Sequence, residues 1–174
     1  VTSKEAQELI ALAQKSNLKI SVYQNRRFAS DFKTVRRVIN EGVLGDIVEA
    51  EFHFDRYVPN LSYKKHKEIP TEGVGNLYDL GSHLIDQALQ LFGMPNSVFA
   101  SLDSFRENSK VHDYFDVKLF YKSHYVILKS SYFVREPLPA YSIHGTNGSF
   151  IKSQADIQEA ELHKEIKPET KGWG

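Results

Sequence analysis

The chain has 174 residues, of which 22 are Lys or Arg and 22 are Asp or Glu, so its formal net charge at pH 7 is zero. This balance argues against a nucleic-acid-binding protein, which would need a basic surface, and the absence of cysteine excludes disulfides and thiolate zinc sites. No apolar run approaches the ~20 residues that span a bilayer, and the first residues do not resemble a signal peptide. These features favour a folded cytoplasmic protein.

The N-terminal segment is predicted to begin with a helix, because Thr2 and Glu5 form a capping-box pattern. Apolar residues recur at helical spacing over residues 3–16, and we expect this stripe to pack on the protein. Apolar residues then alternate over residues 18–23, a pattern typical of a short strand.

A second helix is predicted over residues 30–41. Ser30 or Asp31 is expected to cap its start, and Gly42 lies where a left-handed residue commonly ends a helix. The apolar residues that should face the core are Phe32, Val35, Val38 and Ile39.

A half-buried strand is predicted over residues 47–57, where apolar and polar side chains alternate. Its polar face offers carboxylate and imidazole groups, but a strand face of alternating acids usually faces water, so no metal site is predicted. The polar residues are Glu49, Glu51, His53 and Asp55. Residues 58–72 lack any period and are predicted to form a loop that is long enough for a functional role.

A third helix is predicted over residues 77–91, with Asn76 as its cap and Gly93 at its end. Strands joined by short connections follow, and the last of them leads into a tight turn at Asn147-Gly148. The predicted strands cover residues 97–105, 113–122, 124–134 and 140–145.

The order of these elements predicts an α+β fold with antiparallel strands. No G-x-G-x-x-G follows a strand, so the chain alone is not expected to bind a dinucleotide. Both faces of the later strands carry apolar residues. We therefore expect helices on one face and a partner subunit on the other, in a homodimer or tetramer.

The stretch from Gly73 to Asp86 is the one that points to chemistry. Asp79 and His83 are four residues apart, which places them on one face of the predicted helix. Gly81 inside the helix would let a ligand approach the backbone closely. The same pattern also fits a plain exposed Asp–His pair next to a glycine that admits a neighbouring helix, and the residues alone leave both readings open.

Several stretches together resemble the C-terminal part of the Gfo/Idh/MocA oxidoreductases. The most specific is the Asp-x-Gly-x-His block with its downstream Gly-x-Pro. These stretches are residues 25–28 (NRRF), 41–47 (EGVLGDI), 75–95 (GNLYDLGSHLIDQALQLFGMP) and 144–150 (HGTNGSF). Residues 53–57 and 156–159 are most similar to the branch that contains NADP-dependent scyllo-inositol dehydrogenases. Residues 61–70 lack the Trp of a Trp-Arg-Glu motif common in that branch, which leaves the substrate open.

The resemblance implies that residues 1–174 form a single substrate-binding and oligomerisation domain, an open, mostly antiparallel sheet with helices on one face. Family members carry, ahead of this domain, a Rossmann domain that binds NAD or NADP and ends in a Glu-Lys-Pro motif with a catalytic Lys. Neither is present in this chain, which is therefore expected to be part of a longer protein and to be inactive alone. NAD and NADP both stay open, because the residues that read the ribose 2′ position would lie in the missing domain.

Family members transfer a hydride between the nicotinamide and a secondary alcohol of a sugar or polyol, such as an inositol. The resemblance implies that His83 is the general acid/base and that Asp79 binds substrate hydroxyls. Tyr57 is expected to border the substrate. Asn25 and Arg26 are expected to lie near the cofactor, although Arg26 fits a packing or solvated role equally well.

A second interpretation, from a different class, is a non-catalytic module that dimerises through its sheet and keeps a degenerate site. The intact Asp79 and His83 favour the enzyme. A G-x-G-x-x-G and a Glu-Lys-Pro motif upstream in the parent gene would separate the two interpretations.

Overall fold

The computed structural model describes residues 2–136, 138–168, 170–171 and 173. Within these residues the chain forms α1 (Ser3–Lys15), α2 (Ser30–Asn40), β1 (Ile47–His53), α3 (Ser82–Phe92), β2 (Ser97–Asp103), β3 (Tyr114–Phe120), β4 (Tyr125–Ser131), β5 (Tyr141–Gly145), β6 (Gly148–Lys152) and α4 (Ile157–His163). Short 3₁₀ turns lie at Asn25–Phe28 and Lys65–Lys67, and a π-helical turn at Leu77–Gly81 leads directly into α3.

The strands form one sheet in the order β2-β3-β4-β1-β5-β6. Neighbouring strands are antiparallel except β1 and β4, which run parallel. The predicted α+β class, with an open and mostly antiparallel sheet, is confirmed. The predicted hairpin is confirmed as well, but its turn lies one residue earlier, at Thr146 and Asn147, because Gly148 already belongs to β6 and pairs with Gly145.

The core lies between one face of the sheet and the helices α2 and α3. Strand register places the inward side chains in layers, because Ala50 aligns with Val126 and Phe52 with Leu128. The buried residues that meet there include Ala50, Phe52, Phe115, Val126 and Leu128 from the strands and Phe32, Val35, Leu84 and Ala88 from the helices. Burial of each large apolar side chain contributes about 1.5–3 kcal/mol, which fixes α3 on the sheet.

The opposite face of the sheet carries apolar and charged side chains side by side. One row across all six strands consists of Phe99, Lys118, Ile127, Glu51, Ser142 and Ile151. Lys118 places its ammonium 3.5 Å from the ring centroid of Tyr125 on this face. The face is therefore more polar than simple alternation indicated, and its covering by a partner subunit stays a prediction.

Two expectations for the N-terminal segment are wrong within the described residues. Helix α1 and its capping box form as predicted, but α1 buries no residue, and Leu9, Ile10 and Leu12 are exposed. Residues 18–23 form no strand, and Leu18 and Val22 are largely exposed. An alternating pattern becomes a strand only when another strand satisfies its backbone groups, and the described part of the chain provides none here.

Predicted helix caps were displaced by tertiary contacts. Ala29, not Ser30 or Asp31, is the N-cap of α2, because the side chains of those two residues hydrogen-bond to the backbone of Ala155. Asn76 caps nothing either: its side-chain amide is buried and donates to the Asp113 carbonyl at 3.1 Å. Gly42 and Gly93 end their helices with positive φ as predicted.

Candidate active site

The segment that carries Asp79 and His83 enters its helix through two glycines with positive φ. Gly73 and Gly75 have φ values of 83° and 115°, a region that residues with a side chain rarely adopt. The backbone N–H of Asn76 then donates to the carbonyl of His112 at 2.8 Å, which connects the start of the π-helical turn to the chain before β3. The predicted continuous α-helix over residues 77–91 is therefore wrong in its first turn.

Gly81 admits a protein side chain rather than a ligand. A Cβ atom at this position would lie 2.7 Å from Leu77 Cδ1 and 3.2 Å from Cζ of the buried Phe115 ring. The close approach is thus the packing of the π-helical turn on β3, whereas the structural alternative had named a neighbouring helix.

An open cavity of about 370 Å³ lies beside the π-helical turn. Asp79 lines it, and most of the residues around the cavity carry polar or charged side chains. The other lining residues are Arg56, Val58, Ser62, His66, Lys67, Glu68, Gly73, Val74, Gly75, Asn76, Tyr78, Arg106 and Tyr132. The predicted loop over residues 58–72 supplies Val58, Ser62, His66, Lys67 and Glu68 to this wall, which agrees with a functional role for it.

Asp79 is half exposed and forms an ion pair with the loop. Lys67 Nζ donates to Asp79 Oδ2 at 3.0 Å. An ammonium has three donors, so this contact leaves Lys67 further donors and Asp79 a further oxygen for a ligand in the cavity. A neighbouring carboxylate and ammonium can together bind two adjacent hydroxyl groups, one as donor and one as acceptor.

His83 lies one turn further along, at partial burial. Burial lowers the pKa of His83 and the charge of Arg26 lowers it further, while the charges of Asp79 and Asp86 act in the opposite direction. The imidazole therefore stays neutral at pH 7, the form that can accept a proton. Asp79 and His83 are thus close enough to interact electrostatically, although Asp79 alone of the two lines the cavity wall.

The Nδ1 atom of His83 is buried and has no hydrogen-bond partner among the described residues. A buried polar atom left in this state costs about 1–3 kcal/mol. Such costs are typical of functional sites, where a ligand or another part of the protein completes the hydrogen bonding.

Tyr57 lies in a second hollow, beyond Arg56. Its hydroxyl accepts a hydrogen bond from Arg135 Nη2 at 2.8 Å, and the Arg135 guanidinium stacks 4.4 Å from its ring centroid. This hollow has a volume of about 360 Å³, and Arg56 borders both hollows. A substrate contact by Tyr57 stays a prediction, and the adjacent Arg56 is the residue that reaches the cavity with Asp79.

Arg26 is occupied by carboxylates. Its Nη1 atom donates to Asp156 at 3.0 Å and to Glu159 at 2.7 Å, and its guanidinium lies 5.8 Å from the ring centroid of Phe54. The packing role is thus the one this structure displays, and a cofactor contact by Asn25 or Arg26 stays a prediction. The Asp-x-x-Glu spacing at these two carboxylates is also a capping signal, and it could have predicted the start of α4.

His53 forms a separate cluster on the outer face of the sheet. Its Nδ1 lies 2.8 Å from Asp55 and its Nε2 lies 3.3 Å from Glu51. Burial alone would lower the pKa of His53, but the hydrogen bond and charge of Asp55, together with Glu51, raise it overall. Over the part of the chain that the structure describes, no group of three or more acidic or imidazole side chains is arranged to hold a metal ion.

Sequence reasoning missed most of the cavity wall. Arg106 and Tyr132 come from the β2–β3 connection and the end of β4, where no local pattern marks them. Lys67 and Glu68 lie in the loop that was singled out only for its length.

No helix among the described residues is long and apolar enough to cross a membrane.

The structure is thus an α+β domain with an open cavity, and a carboxylate and an imidazole lie one turn apart at the start of α3. Residues 32–151 match the family model of the GFO/IDH/MocA C-terminal domain. The chain belongs to this oxidoreductase family and forms its C-terminal domain.

Two of the following three relatives are similar over almost the whole chain, and the third over a shorter part of it. The scyllo-inositol 2-dehydrogenase (NADP(+)) of Bacillus subtilis is 41% identical over 173 residues, which cover 99% of this chain and 48% of that protein. The D-glucoside 3-dehydrogenase of Escherichia coli is 29% identical over 109 residues, which cover 62% of this chain and 30% of that protein. A crystal structure of an oxidoreductase from Bacillus cereus is 40% identical, with a TM-score of 0.86 over 99% of this chain and 57% of that one. The chain spans about half the length of the first curated relatives it matches.

Proposed function

We propose that this chain is the substrate-binding and catalytic half of an oxidoreductase that transfers a hydride between NAD(P) and a secondary alcohol of a sugar or polyol. The observation that carries the proposal is the arrangement of Asp79 and His83. Asp79 lines the open cavity, and one turn away lies a neutral imidazole whose buried Nδ1 has no hydrogen-bond partner within the described part of the chain. The polyol and glucoside substrates named for two relatives support the same substrate class.

In this proposal His83 moves the hydroxyl proton. Oxidation of a secondary alcohol breaks one C–H and one O–H bond, and the bound nicotinamide would supply the hydride acceptor. The O–H proton goes to the neutral imidazole of His83, whose lowered pKa keeps it able to accept a proton at pH 7. In the reverse direction the imidazolium returns that proton to the forming alcohol.

Asp79 orients the substrate in this scheme. Its free carboxylate oxygen accepts from a substrate hydroxyl, and the Lys67 ammonium, 3.0 Å from the other oxygen, donates to a neighbouring one. Holding the reacting carbon in one orientation accounts for much of the rate that an enzyme gains over solution.

The cofactor would be held mainly outside this chain. No described strand is followed by a glycine-rich phosphate loop, and Arg26 already donates to two carboxylates. The exposed apolar residues of α1 and of residues 18–23 offer a surface on which a cofactor domain would pack. The residues present thus fit the substrate side of the reaction, and the choice between NAD and NADP belongs to the other half.

The direct test is a substrate panel on the full-length protein. Inositols and hexoses are offered with NAD and with NADP, and nicotinamide reduction is followed by absorbance. The proposal expects turnover of at least one polyol or sugar by the full-length protein and none by this chain alone. Absence of turnover with every alcohol, or turnover by the isolated chain with added cofactor, would overturn it.

We also propose that the outer face of the sheet joins two copies of the chain. Phe99 and Ile151 are exposed there on opposite edge strands, and exposed apolar area of this kind is commonly covered by a subunit. Light scattering is expected to give a dimer or tetramer at micromolar concentration. A monomer would contradict this assignment.

A further inference from the structure

One residue that lines the cavity is a buried arginine, Arg106. The side chain of Arg106 is 3% exposed, and that of its partner Asp113 is fully buried. Asp113 accepts from the backbone N–H groups of Phe105 and Arg106 and from Arg106 Nε at 3.1 Å. The aromatic ring of Tyr132 lies 5.0 Å from the guanidinium carbon. One edge of the guanidinium is therefore fixed to the body of the domain.

The other edge of the Arg106 guanidinium holds the loop. Nη1 and Nη2 each donate to one oxygen of Glu68 at 3.0 Å, the two-point geometry that a guanidinium offers a carboxylate. Nη1 also lies 3.4 Å from the carbonyl oxygen of Asn60, and Glu68 Oε1 accepts from the Ser62 N–H at 2.7 Å. Both ends of the segment 60–68 are thus held by the buried guanidinium of Arg106.

The loop that is held in this way presents Lys67 to the cavity. Lys67 precedes Glu68 directly, and its ammonium lies 3.0 Å from Asp79. Holding an exposed lysine in one contact costs conformational entropy, which weakens the ion pair. Less entropy is lost when the backbone that carries the lysine is already ordered, so the ion pair is then stronger. The contact of the buried Arg106 with Glu68 orders the backbone in this way for Lys67, the preceding residue.

We propose that Arg106 is a positioning residue of the site, which acts through Glu68 to hold the loop and thereby places Lys67 against Asp79. This inference rests on the proposed function, since it assigns the loop to the binding of the alcohol. It deepens that function by naming the substrate feature involved: a pair of neighbouring hydroxyls, one facing Asp79 and the other facing Lys67.

The test is a double-mutant cycle in the full-length protein, with the best polyol of the panel as substrate. Glu68→Gln keeps the shape of the side chain but removes the charge that Arg106 holds, and Lys67→Met removes the ammonium. Each single change is expected to raise KM about tenfold and to leave kcat within about threefold, the size expected for one charged hydrogen bond. If Arg106 and Glu68 act through Lys67, the double variant is no worse than either single variant.

Lys65→Met is the matched control, because Lys65 lies in the same loop, is exposed, and has no ion pair among those the described residues form. It is expected to leave KM unchanged. Hydrogen exchange supplies a readout that needs no substrate: the amides of residues 61–68 should exchange at least tenfold faster in Glu68→Gln.

Two results would overturn the inference alone. In the first, the KM effects of the two single variants multiply in the double variant. In the second, hydrogen exchange in the loop is unchanged in Glu68→Gln. A normal melting temperature in Glu68→Gln separates loop release from general unfolding. Failure of the unmodified protein to turn over any alcohol would instead overturn the proposed function.

Discussion

Replacement of Gly81 by alanine tests how tightly the π-helical turn packs on the sheet. Helix propensity alone favours alanine over glycine by about 0.5–1 kcal/mol. The new Cβ would lie 2.7 Å from Leu77 Cδ1, which can rotate away, but also 3.2 Å and 3.3 Å from two atoms of the Phe115 ring. That ring is fully buried in the core and cannot move without displacing its neighbours.

Overpacking of this kind costs about 1–3 kcal/mol, so the net effect is a loss of about 1 kcal/mol once the propensity gain is subtracted. In a domain of this size, such a loss lowers Tm by about 2–4 °C. Urea unfolding and thermal melting, both followed by circular dichroism, measure it directly. Gly148→Ala is the matched control, because a Cβ there meets nothing within 4 Å. If Gly81→Ala instead stabilises the protein by the full propensity gain, the packing argument is wrong.

The contacts of Gly145, His53 and Arg26 can each be tested by a single substitution. Gly145→Ala would place a Cβ 2.2 Å from the Leu44 carbonyl oxygen, so urea unfolding should show a loss of about 2 kcal/mol or more; a loss below about 0.5 kcal/mol would contradict this. Since the pKa of His53 is raised on folding, its stabilising effect is present below about pH 6.5 and disappears as pH rises through the folded-state pKa. His53→Gln should therefore cost more stability at pH 5.5 than at pH 8.5, as measured by urea unfolding, and equal losses would refute the assignment. Because the charge of Arg26 lowers the pKa of His83, Arg26→Gln should move the acidic limb of kcat/KM for alcohol oxidation to higher pH; an unmoved limb would exclude this coupling.

Elements with a local signal could be predicted from the sequence. These elements depend on residues that are close together in the chain. They are the capping box at Thr2, the helix ends at Gly42 and Gly93, and the hairpin around Asn147-Gly148. Helical spacing and the family resemblance placed Asp79 and His83 at one site, and of the two it is Asp79 that lines the cavity.

Features that depend on distant partners could not be predicted. Asn76 fits a cap by its position, yet its amide is claimed by Asp113, 37 residues further along. The contact between Glu68 and Arg106 spans 38 residues and no periodic pattern marks either one. The close packing of Gly81 against Phe115 of β3 is a further contact between distant residues, and helix propensity does not register it. The strand predicted at residues 18–23 shows the same dependence in reverse, since it lacks a partner within the described chain.

In the proposed reaction, the imidazole of His83 transfers the substrate proton. The most direct measurement compares kcat of the full-length protein with that of His83→Ala, using the best polyol and cofactor of the panel. His163→Ala, a change at a largely exposed histidine in α4, is the matched control. We expect kcat to fall by about 10²–10⁴-fold in His83→Ala and to be unchanged in the control. An unchanged kcat in His83→Ala would contradict it.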